Sequence, residues 1–167
     1  MNKPSVRSGI LPASAQDPEN LPKIRLLYVD DEPDQLVLCK YFLEQSGGFL
    51  VDTAESPKAA LGMISANSYC VIVSDYQMPE MNGIEFLRQV KSINIELHSI
   101  LFTSFRRDQI VSAGKPAPID FFVQKTGDAR AQYNDLGRII RNAVEVCGKL
   151  SRIKSARSVP GSDQKDV

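Results

Sequence analysis

The sequence has 167 residues, of which 43% are hydrophobic, enough for one domain core of ordinary size. Its 20 basic and 20 acidic residues cancel, so no overall electric field draws the chain to nucleic acid or to an anionic membrane. No apolar run approaches the roughly 20 residues of a membrane-spanning helix, and the first residues lack the apolar stretch of a signal peptide. We therefore expect a cytoplasmic protein with neither nucleic-acid nor membrane partners.

The chain divides into two tails and one central domain. Residues 1–22 mix proline, serine and charged residues without a hydrophobic period, as do residues 151–167 around Pro160 and Gly161, and both segments are predicted to be disordered. Between them, over residues 23–150, short apolar runs alternate with amphipathic stretches, a pattern typical of a parallel sheet wrapped by helices. The predicted buried strands are 24–29, 49–54, 70–74, 100–103 and 121–123.

Helix signals lie between these strands. A first helix should begin near Pro33 and end at Gly47-Gly48, and Ser56-Pro57 repeats the start signal for a second. The fourth helix should end early, because the prolines of the run Gly114 to Pro118 cannot donate helical hydrogen bonds. Five strands and five helices predict an open, doubly wound α/β sheet, whose ligands bind beyond the carboxyl ends of the strands.

The cysteines predict no metal or disulfide chemistry. Cys39, Cys70 and Cys147 are odd in number, far apart and set among apolar residues. They are predicted to be buried thiols in a reducing compartment.

Ionisable or hydroxyl residues end four of the predicted strands. These residues are Asp30-Asp31, Asp75, Thr103 and Lys125. Parallel strands end at one edge of the sheet, where oxygen ligands with room for water suit Mg²⁺. A carboxylate whose charge is partly neutralised can attack phosphorus, while a hydroxyl and an ammonium group hold the phosphoryl oxygens. The pattern predicts Mg²⁺-dependent phosphoryl transfer to one of these carboxylates.

Four motifs, in this order and spacing, resemble the receiver domain of two-component response regulators. They are the runs 28–33 (Tyr-Val-Asp-Asp-Glu-Pro), 73–83 (Val-Ser-Asp-Tyr-Gln-Met-Pro-Glu-Met-Asn-Gly), 102–104 (Phe-Thr-Ser) and 123–125 (Val-Gln-Lys). The resemblance spans residues 23 to about 148 and implies a flavodoxin-like sheet of order 2-1-3-4-5. The run Gln-Lys-Thr-Gly-Asp also resembles a receiver subgroup common in archaea.

The resemblance implies a role for each matching residue. Asp75 would be the phospho-acceptor, with Mg²⁺ held by Asp30, Asp31, Asp75 and the main-chain carbonyl of Gln77. Thr103 would bond the phosphoryl group and Lys125 would pair with it. On activation Thr103 would move toward the phosphate, and Phe122 would turn inward behind it.

The resemblance also implies partners and a manner of signalling. A sensor histidine kinase or a phosphotransfer protein would donate the phosphoryl group, and a downstream protein would read the switch. The protein would be no enzyme beyond its own phosphorylation and slow dephosphorylation, and would be a monomer or weak homodimer. Residues 151–167 are too few for an output domain, so a stand-alone receiver of chemotaxis-like size is expected.

Other interpretations of the same residues stay open. Each aspartate alone could cap a helix or open a turn. Lys125 could be a surface lysine, because Thr126 stands where the family usually has proline, and Phe122 could be packing. The whole chain could be a binding module that signals without phosphorylation, or an aspartate-nucleophile phosphatase. Finally, Phe105, two residues after Thr103, could shield the site from water and slow hydrolysis.

Overall fold

The structure, a computed structural model, describes residues 23–111 and 119–156, without the side chains of residues 111 and 146–156. The strands are β1 (Ile24–Val29), β2 (Phe49–Ala54), β3 (Val71–Ser74), β4 (His98–Thr103) and β5 (Phe121–Gln124). The helices are α1 (Pro33–Gln45), α2 (Pro57–Ala66), α3 (Gly83–Ile93), α4 (Arg107–Val111) and α5 (Ala129–Ala156).

All five strands form one parallel sheet in the order β2-β1-β3-β4-β5. The predicted doubly wound α/β fold, its strand order and its five helices are confirmed. β1 lies at the centre of the reversal in strand order, with Leu26 opposite Val51 of β2 on one side and Val71 of β3 on the other. The carboxyl ends of β1 and β3 therefore lie side by side at the switch point, where an open α/β sheet binds its ligands.

Two hydrophobic layers cover the two faces of the sheet. Tyr28 and Phe102 belong to the layer under α1 and α5, together with Leu136. Leu27 and Ile72 face the opposite way and pack with residues of α2 and α3. Because β3 is buried along its whole length and β4 at all but its first residue, these strands have no solvent face and read as continuous apolar runs.

Local signals at the helix ends work as the sequence predicts. Pro33 opens α1, and Gly47 and Gly48 follow its end with φ angles of +74° and +78°, which L side chains rarely adopt. Ser56 caps α2 by accepting a hydrogen bond of 3.2 Å from the amide of Ala59.

Four boundaries differ from the sequence prediction, and one of them is the end of β5, which extends to Gln124 instead of residue 123. β3 begins at Val71, so Cys70 precedes the strand at the amino end of the sheet and is exposed. The prediction of a buried thiol is wrong for Cys70 and confirmed for Cys39. β4 begins earlier than predicted, at His98. α5 continues past residue 150 to Ala156, because no glycine or proline stands between Gly148 and Pro160 to interrupt it.

Several sequence predictions fall outside the described residues. They concern residues 1–22, the run 114–118 that should end α4, the side chain of Cys147, and the tail beyond residue 156. Within the residues that the structure covers, no helix has both the length and the apolar character of a membrane span.

The outer edge of β2 is covered by two side chains of α1. Lys40 Nζ donates to the carbonyl of Val51 at 2.6 Å, and the amide of Val51 donates to Glu44 Oε1 at 3.0 Å. Lys40 and Glu44 also form an ion pair of 2.9 Å with each other. Together they bind both backbone groups that Val51 would otherwise offer to another strand.

Candidate functional site

The carboxyl ends of β1, β3 and β5 bring three of the predicted residues into direct contact. Lys125 Nζ lies 2.8 Å from Asp30 Oδ2 and 3.0 Å from Asp75 Oδ1. Asp30 and Asp75 follow neighbouring strands, and Lys125 reaches them from the edge strand β5 across β4. One ammonium group therefore bridges two carboxylates at the switch point of the sheet.

Asp30 is 1% exposed, and other groups hold both of its oxygens. Oδ1 accepts a hydrogen bond of 3.0 Å from the amide of Glu32, while Oδ2 accepts from the Tyr28 hydroxyl as well as from Lys125. Tyr28 stands two residues earlier in the extended chain, so its side chain leaves the same face as Asp30. Its own pKa is raised by burial and by the charge of Asp30, so the hydroxyl keeps its proton and acts as a donor.

Asp75 is 7% exposed and repeats the same arrangement. Its Oδ2 accepts a hydrogen bond of 2.6 Å from the amide of Gln77, and its Oδ1 contacts Lys125. Burial raises the pKa of Asp75 above its usual value, and the negative charge of Asp30 adds to this, although Lys125 and the Gln77 amide act in the opposite direction. In the fold, the Asp75 carboxylate is thus less well stabilised than in water, even with Lys125 beside it.

The interpretation of Asp30 and Asp75 as turn residues accounts for one of the two carboxylate oxygens of each side chain. Asp30 and Asp75 each use one oxygen to accept the amide two residues later, as aspartate does in turns. Turn formation leaves the second oxygen unexplained, and in both residues that oxygen contacts Lys125.

Lys125 is held at its backbone as well as at its ammonium group. Its amide donates to the carbonyl of Thr103 at 2.7 Å, and its Nζ lies 5.6 Å from the centre of the Phe102 ring. Burial alone would lower the pKa of Lys125, but the hydrogen bond and charge of Asp30, with those of Asp75, outweigh it and raise the pKa. Its side chain is 11% exposed, so it is no ordinary surface lysine.

The side chains of Asp31, Thr103 and Phe122 form no hydrogen bond or ion pair with the side chains of Asp30, Asp75 or Lys125. Asp31 is exposed, and its side chain forms no hydrogen bond or ion pair within residues 23–111 and 119–156. Thr103 is buried at the end of β4, and its Oγ1 accepts from the amide of Phe105 at 3.3 Å. Phe122 is half-buried on β5 and packs with the layer under α2 and α3.

The loop between β3 and α3 is shaped by Gly83 in a way the sequence reading missed. The φ of Gly83 lies outside the left-handed region, so backbone freedom is not the reason for glycine here. A Cβ atom built on Gly83 would lie 2.0 Å from the carbonyl oxygen of Asp75. This position therefore requires glycine because α3 begins in close contact with the backbone of Asp75. The left-handed residue of the loop is Glu80, with φ +69°.

The acidic residues at the carboxyl end of the sheet differ from a preformed metal site in geometry but suit a hard cation in chemistry. Among the described residues, no three histidine, cysteine, aspartate or glutamate side chains converge as a ready-made metal site. The chemistry of the set nevertheless suits a hard cation, because its donors are all oxygen and Asp31 is left without a counter-charge. The raised pKa of Asp75 reflects negative charge that a cation would stabilise.

Two polar residues of the site neighbourhood escaped the sequence analysis. Tyr28 falls within the predicted strand 24–29 and the run 28–33 without a role of its own, although its i, i+2 spacing from Asp30 places both on one face. Gln132 was not singled out, but it is buried one turn before Leu136 on the inward face of α5. A polar residue within an apolar helical stripe is the signal that could have found it.

Comparison with known proteins identifies the family. Residues 26–134 match the family model of the response regulator receiver domain. The chain belongs to this family. This receiver domain is 30% identical over 100 residues to the response regulator SaeR of Staphylococcus aureus, covering 60% of the chain and 43% of SaeR. The chain spans 37% of another curated relative, so it accounts for less than half the length of both.

Solved receiver domains share the same fold. A response regulator receiver domain protein from Clostridium thermocellum is 29% identical, with a TM-score of 0.64 over 75% of this chain and 98% of that one. The response regulator TrrA of Thermotoga maritima, solved in complex with Mg²⁺-BeF, is 26% identical, with a TM-score of 0.61 over 71% of this chain and 97% of TrrA.

Proposed function

We propose that this receiver domain accepts a phosphoryl group on the carboxylate of Asp75 from a histidine kinase or a phosphotransfer protein. The observation that carries the proposal is the bridge from Lys125 Nζ to Asp30 and Asp75, at 2.8 and 3.0 Å. A buried ammonium group shared by two carboxylates marks a place where phosphoryl oxygens would find a cation already positioned.

Mg²⁺ is the cofactor in this proposal. Asp30, Asp31 and Asp75 would hold it, together with the main-chain carbonyl of Gln77. When bound, the ion neutralises carboxylate charge and binds phosphoryl oxygens. The Mg²⁺-BeF complex of the related TrrA supports this part of the proposal.

The protein's own residues perform the transfer. An Asp75 carboxylate oxygen forms a bond to phosphorus as the bond between phosphorus and the donor breaks, and the bonding electrons leave with the donor. The amide of Gln77 holds one Asp75 oxygen in place throughout. Lys125 transfers its contact from the free carboxylate to the phosphoryl oxygens, and the Thr103 hydroxyl donates to another of them.

The switch follows from the Thr103 step. In the unmodified protein Thr103 Oγ1 accepts from the amide of Phe105, so turning toward a phosphoryl group would end that contact. Movement at the end of β4 would open space for Phe122 of β5 to turn inward. The resulting change of surface would alter the affinity for a downstream protein.

The proposal is tested by labelling with radioactive acetyl phosphate. We expect the full chain to be labelled when Mg²⁺ is present and not when it is chelated, with acetate as the leaving group. Asp75→Asn should abolish the label. Asp52→Asn is the matched control, because Asp52 pairs with Arg25 on β1 and takes no part in the site, and it should keep the label. Label that persists in Asp75→Asn would falsify the assignment.

The lifetime of the phosphoryl group forms a second part of the proposal. Phe105 and Tyr76 contact each other edge to face, with ring centroids 5.5 Å apart, and both flank the site in sequence. We propose that Phe105 hinders the attacking water. Phe105→Ala should speed the loss of phosphate severalfold in a chase after labelling, and an unchanged rate would contradict this role.

A further inference from the structure

The loop from β5 to α5 carries Lys125 at its beginning and the start of α5 at its end. Asp128 anchors the helical end, where its Oδ1 accepts from the amide of Ala131 at 2.7 Å. The Lys125 amide anchors the strand end on Thr103. Between these anchors, the amide of Thr126 donates to Gln132 Oε1 at 2.9 Å. The peptide that follows Lys125 is thus fixed by a side chain of α5.

Burial of the polar Gln132 side chain carries an energetic cost. Gln132 is 7% exposed and lies on the stripe of α5 that continues into Leu136 and Ile140, where an apolar side chain would pack without penalty. A buried amide is tolerated when its polar atoms are hydrogen-bonded. The Thr126 amide is the partner that the structure gives to Gln132 Oε1.

Fixing the Thr126 amide fixes the orientation of the peptide unit that leaves Lys125. The lysine side chain is long and has several rotatable bonds, yet its Nζ must meet Asp30 and Asp75 together. A change in the ψ angle of Lys125 would redirect the chain after this residue and pull on its Cα, from which Nζ must reach both carboxylates. The hydrogen bond from Thr126 therefore lies where it can hold Lys125 in register with both carboxylates.

We propose that Gln132 is a positioning residue for phosphoryl transfer, acting through the Lys125–Thr126 peptide to hold Lys125 over the acceptor. The proposal rests on the proposed function of Asp75 and Lys125. It assigns no contact between Gln132 and the phosphoryl group. Its effect must therefore pass through Lys125 and disappear when Lys125 is removed.

The test uses Gln132→Met, which keeps the length of the side chain and removes the acceptor. The rate constant for labelling by acetyl phosphate with Mg²⁺ should fall about 10-fold or more, since small displacements of a catalytic group have effects of this size. The matched control is Gln35→Met, because Gln35 on α1 also accepts a hydrogen bond through Oε1, from the Tyr133 hydroxyl at 3.0 Å, and forms none with residues 125–128. Gln35→Met should label at the wild-type rate.

A double-mutant cycle separates positioning from general destabilisation. In the Lys125→Met background, Gln132→Met should slow labelling no further. If the two substitutions instead multiply, Gln132 acts on something other than Lys125 and the proposal is overturned. A wild-type rate in Gln132→Met would also overturn it, whereas failure of the wild-type chain to label at all would instead reject the proposed function.

A measurement on the unmodified chain removes any dependence on variant folding. The Thr126 amide should exchange slowly with deuterium by NMR, in contrast to the amide of an open loop. Exchange of Thr126 as fast as in an unfolded peptide would show that the hydrogen bond does not hold, and would overturn the proposal.

Discussion

The two ends of the sheet carry ionic clusters that are built in opposite ways. At the amino end, Asp120 before β5 accepts from Lys91 at 2.8 Å and from the amide and hydroxyl of Ser99 at 2.7 and 3.1 Å. At the carboxyl end, Asp30 and Asp75 share the single ammonium group of Lys125. The first cluster is balanced in charge, and the second has an excess of carboxylate.

For this reason the pKa values of Asp120 and Asp75 are shifted in opposite directions. Burial works against the charge of Asp120, but Lys91 and the Ser99 amide outweigh it and lower the pKa of this carboxyl group. Burial raises the pKa of Asp75, and Lys125 is insufficient to reverse it. An ion pair that serves the fold is satisfied within the fold, whereas a cluster left unsatisfied indicates a site that awaits a ligand.

The largest expected effect comes from a substitution at the carboxyl end of the sheet that changes no charge. Gly83→Ala places a methyl group 2.0 Å from the Asp75 carbonyl, where a backbone atom cannot yield cheaply. We expect the free energy of unfolding to fall by about 3 kcal/mol, measured by urea denaturation.

Gly62→Ala is the matched control for this substitution. Gly62 lies in the interior of α2 with nothing within 4 Å of an added Cβ, so alanine should stabilise the protein by about 0.5–1 kcal/mol. Equal effects of the two substitutions would contradict the close approach at Gly83.

The next prediction exchanges a carboxylate for an amide at each end of the sheet. Without added divalent cation, Asp75→Asn should raise the free energy of unfolding by about 1 kcal/mol, because it removes uncompensated charge. Asp120→Asn should lower it by about 1 kcal/mol, since it weakens a half-exposed pair with Lys91. The same sign for both variants would contradict the contrast between the clusters.

The pH dependence of these two variants sharpens the comparison. The pKa of Asp120 is lowered on folding, so its stabilisation is present above the usual value of about 3.9 and is lost as pH falls through the lowered pKa. The pKa of Asp75 is raised, so its penalty appears as pH rises through the raised pKa and vanishes below the usual value.

The difference in the free energy of unfolding between each variant and the wild type should therefore shrink on acidification. This difference is positive for Asp75→Asn and negative for Asp120→Asn before it shrinks. Urea denaturation at a series of acidic pH values measures it. The charge of Asp120 also acts to raise the pKa of His98, so Asp120→Asn removes this interaction together with the ion pair to Lys91.

The smallest expected effect concerns the backbone of the site loop. Glu80 adopts φ +69°, which costs an L residue about 1 kcal/mol or more, so Glu80→Gly should stabilise the protein by about 0.5 kcal/mol after the entropy of glycine is counted. Arg88→Gly in the exposed interior of α3 should destabilise it by about 1 kcal/mol. Destabilisation by Glu80→Gly would contradict the strain assigned to this residue.

The fold could be predicted from the sequence because its strands are buried on both faces and its helices carry their own start and stop signals. β1 and β2 were predicted to the residue. β4 was predicted too short, because His98 and Ser99 are polar and Ser99 is accommodated by Asp120, far away in sequence. A partner of that kind has no local signature.

The sequence predicts the residues of the site that directly follow the ends of the strands. Their shared edge predicts that Asp30, Asp75 and Lys125 meet, and they do. The bridging position of Lys125 between two carboxylates depends on the reach of its side chain across β4, which a sequence pattern does not contain. Gln132 was missed because the donor it satisfies belongs to another element.

The cover on the edge of β2 has a consequence for which sequences this protein can tolerate. Within a helix, a glutamate four residues before a lysine is the favoured order, but α1 has Lys40 before Glu44. The order is set by the strand, since the carbonyl of Val51 needs a donor and its amide an acceptor. Exchanging the two residues would keep the helical ion pair. It would also place an acceptor against the Val51 carbonyl and a donor against the Val51 amide. Tolerated substitutions should therefore keep a hydrogen-bond donor at position 40 and an acceptor at position 44, although the two residues look like an ion pair whose order could be reversed.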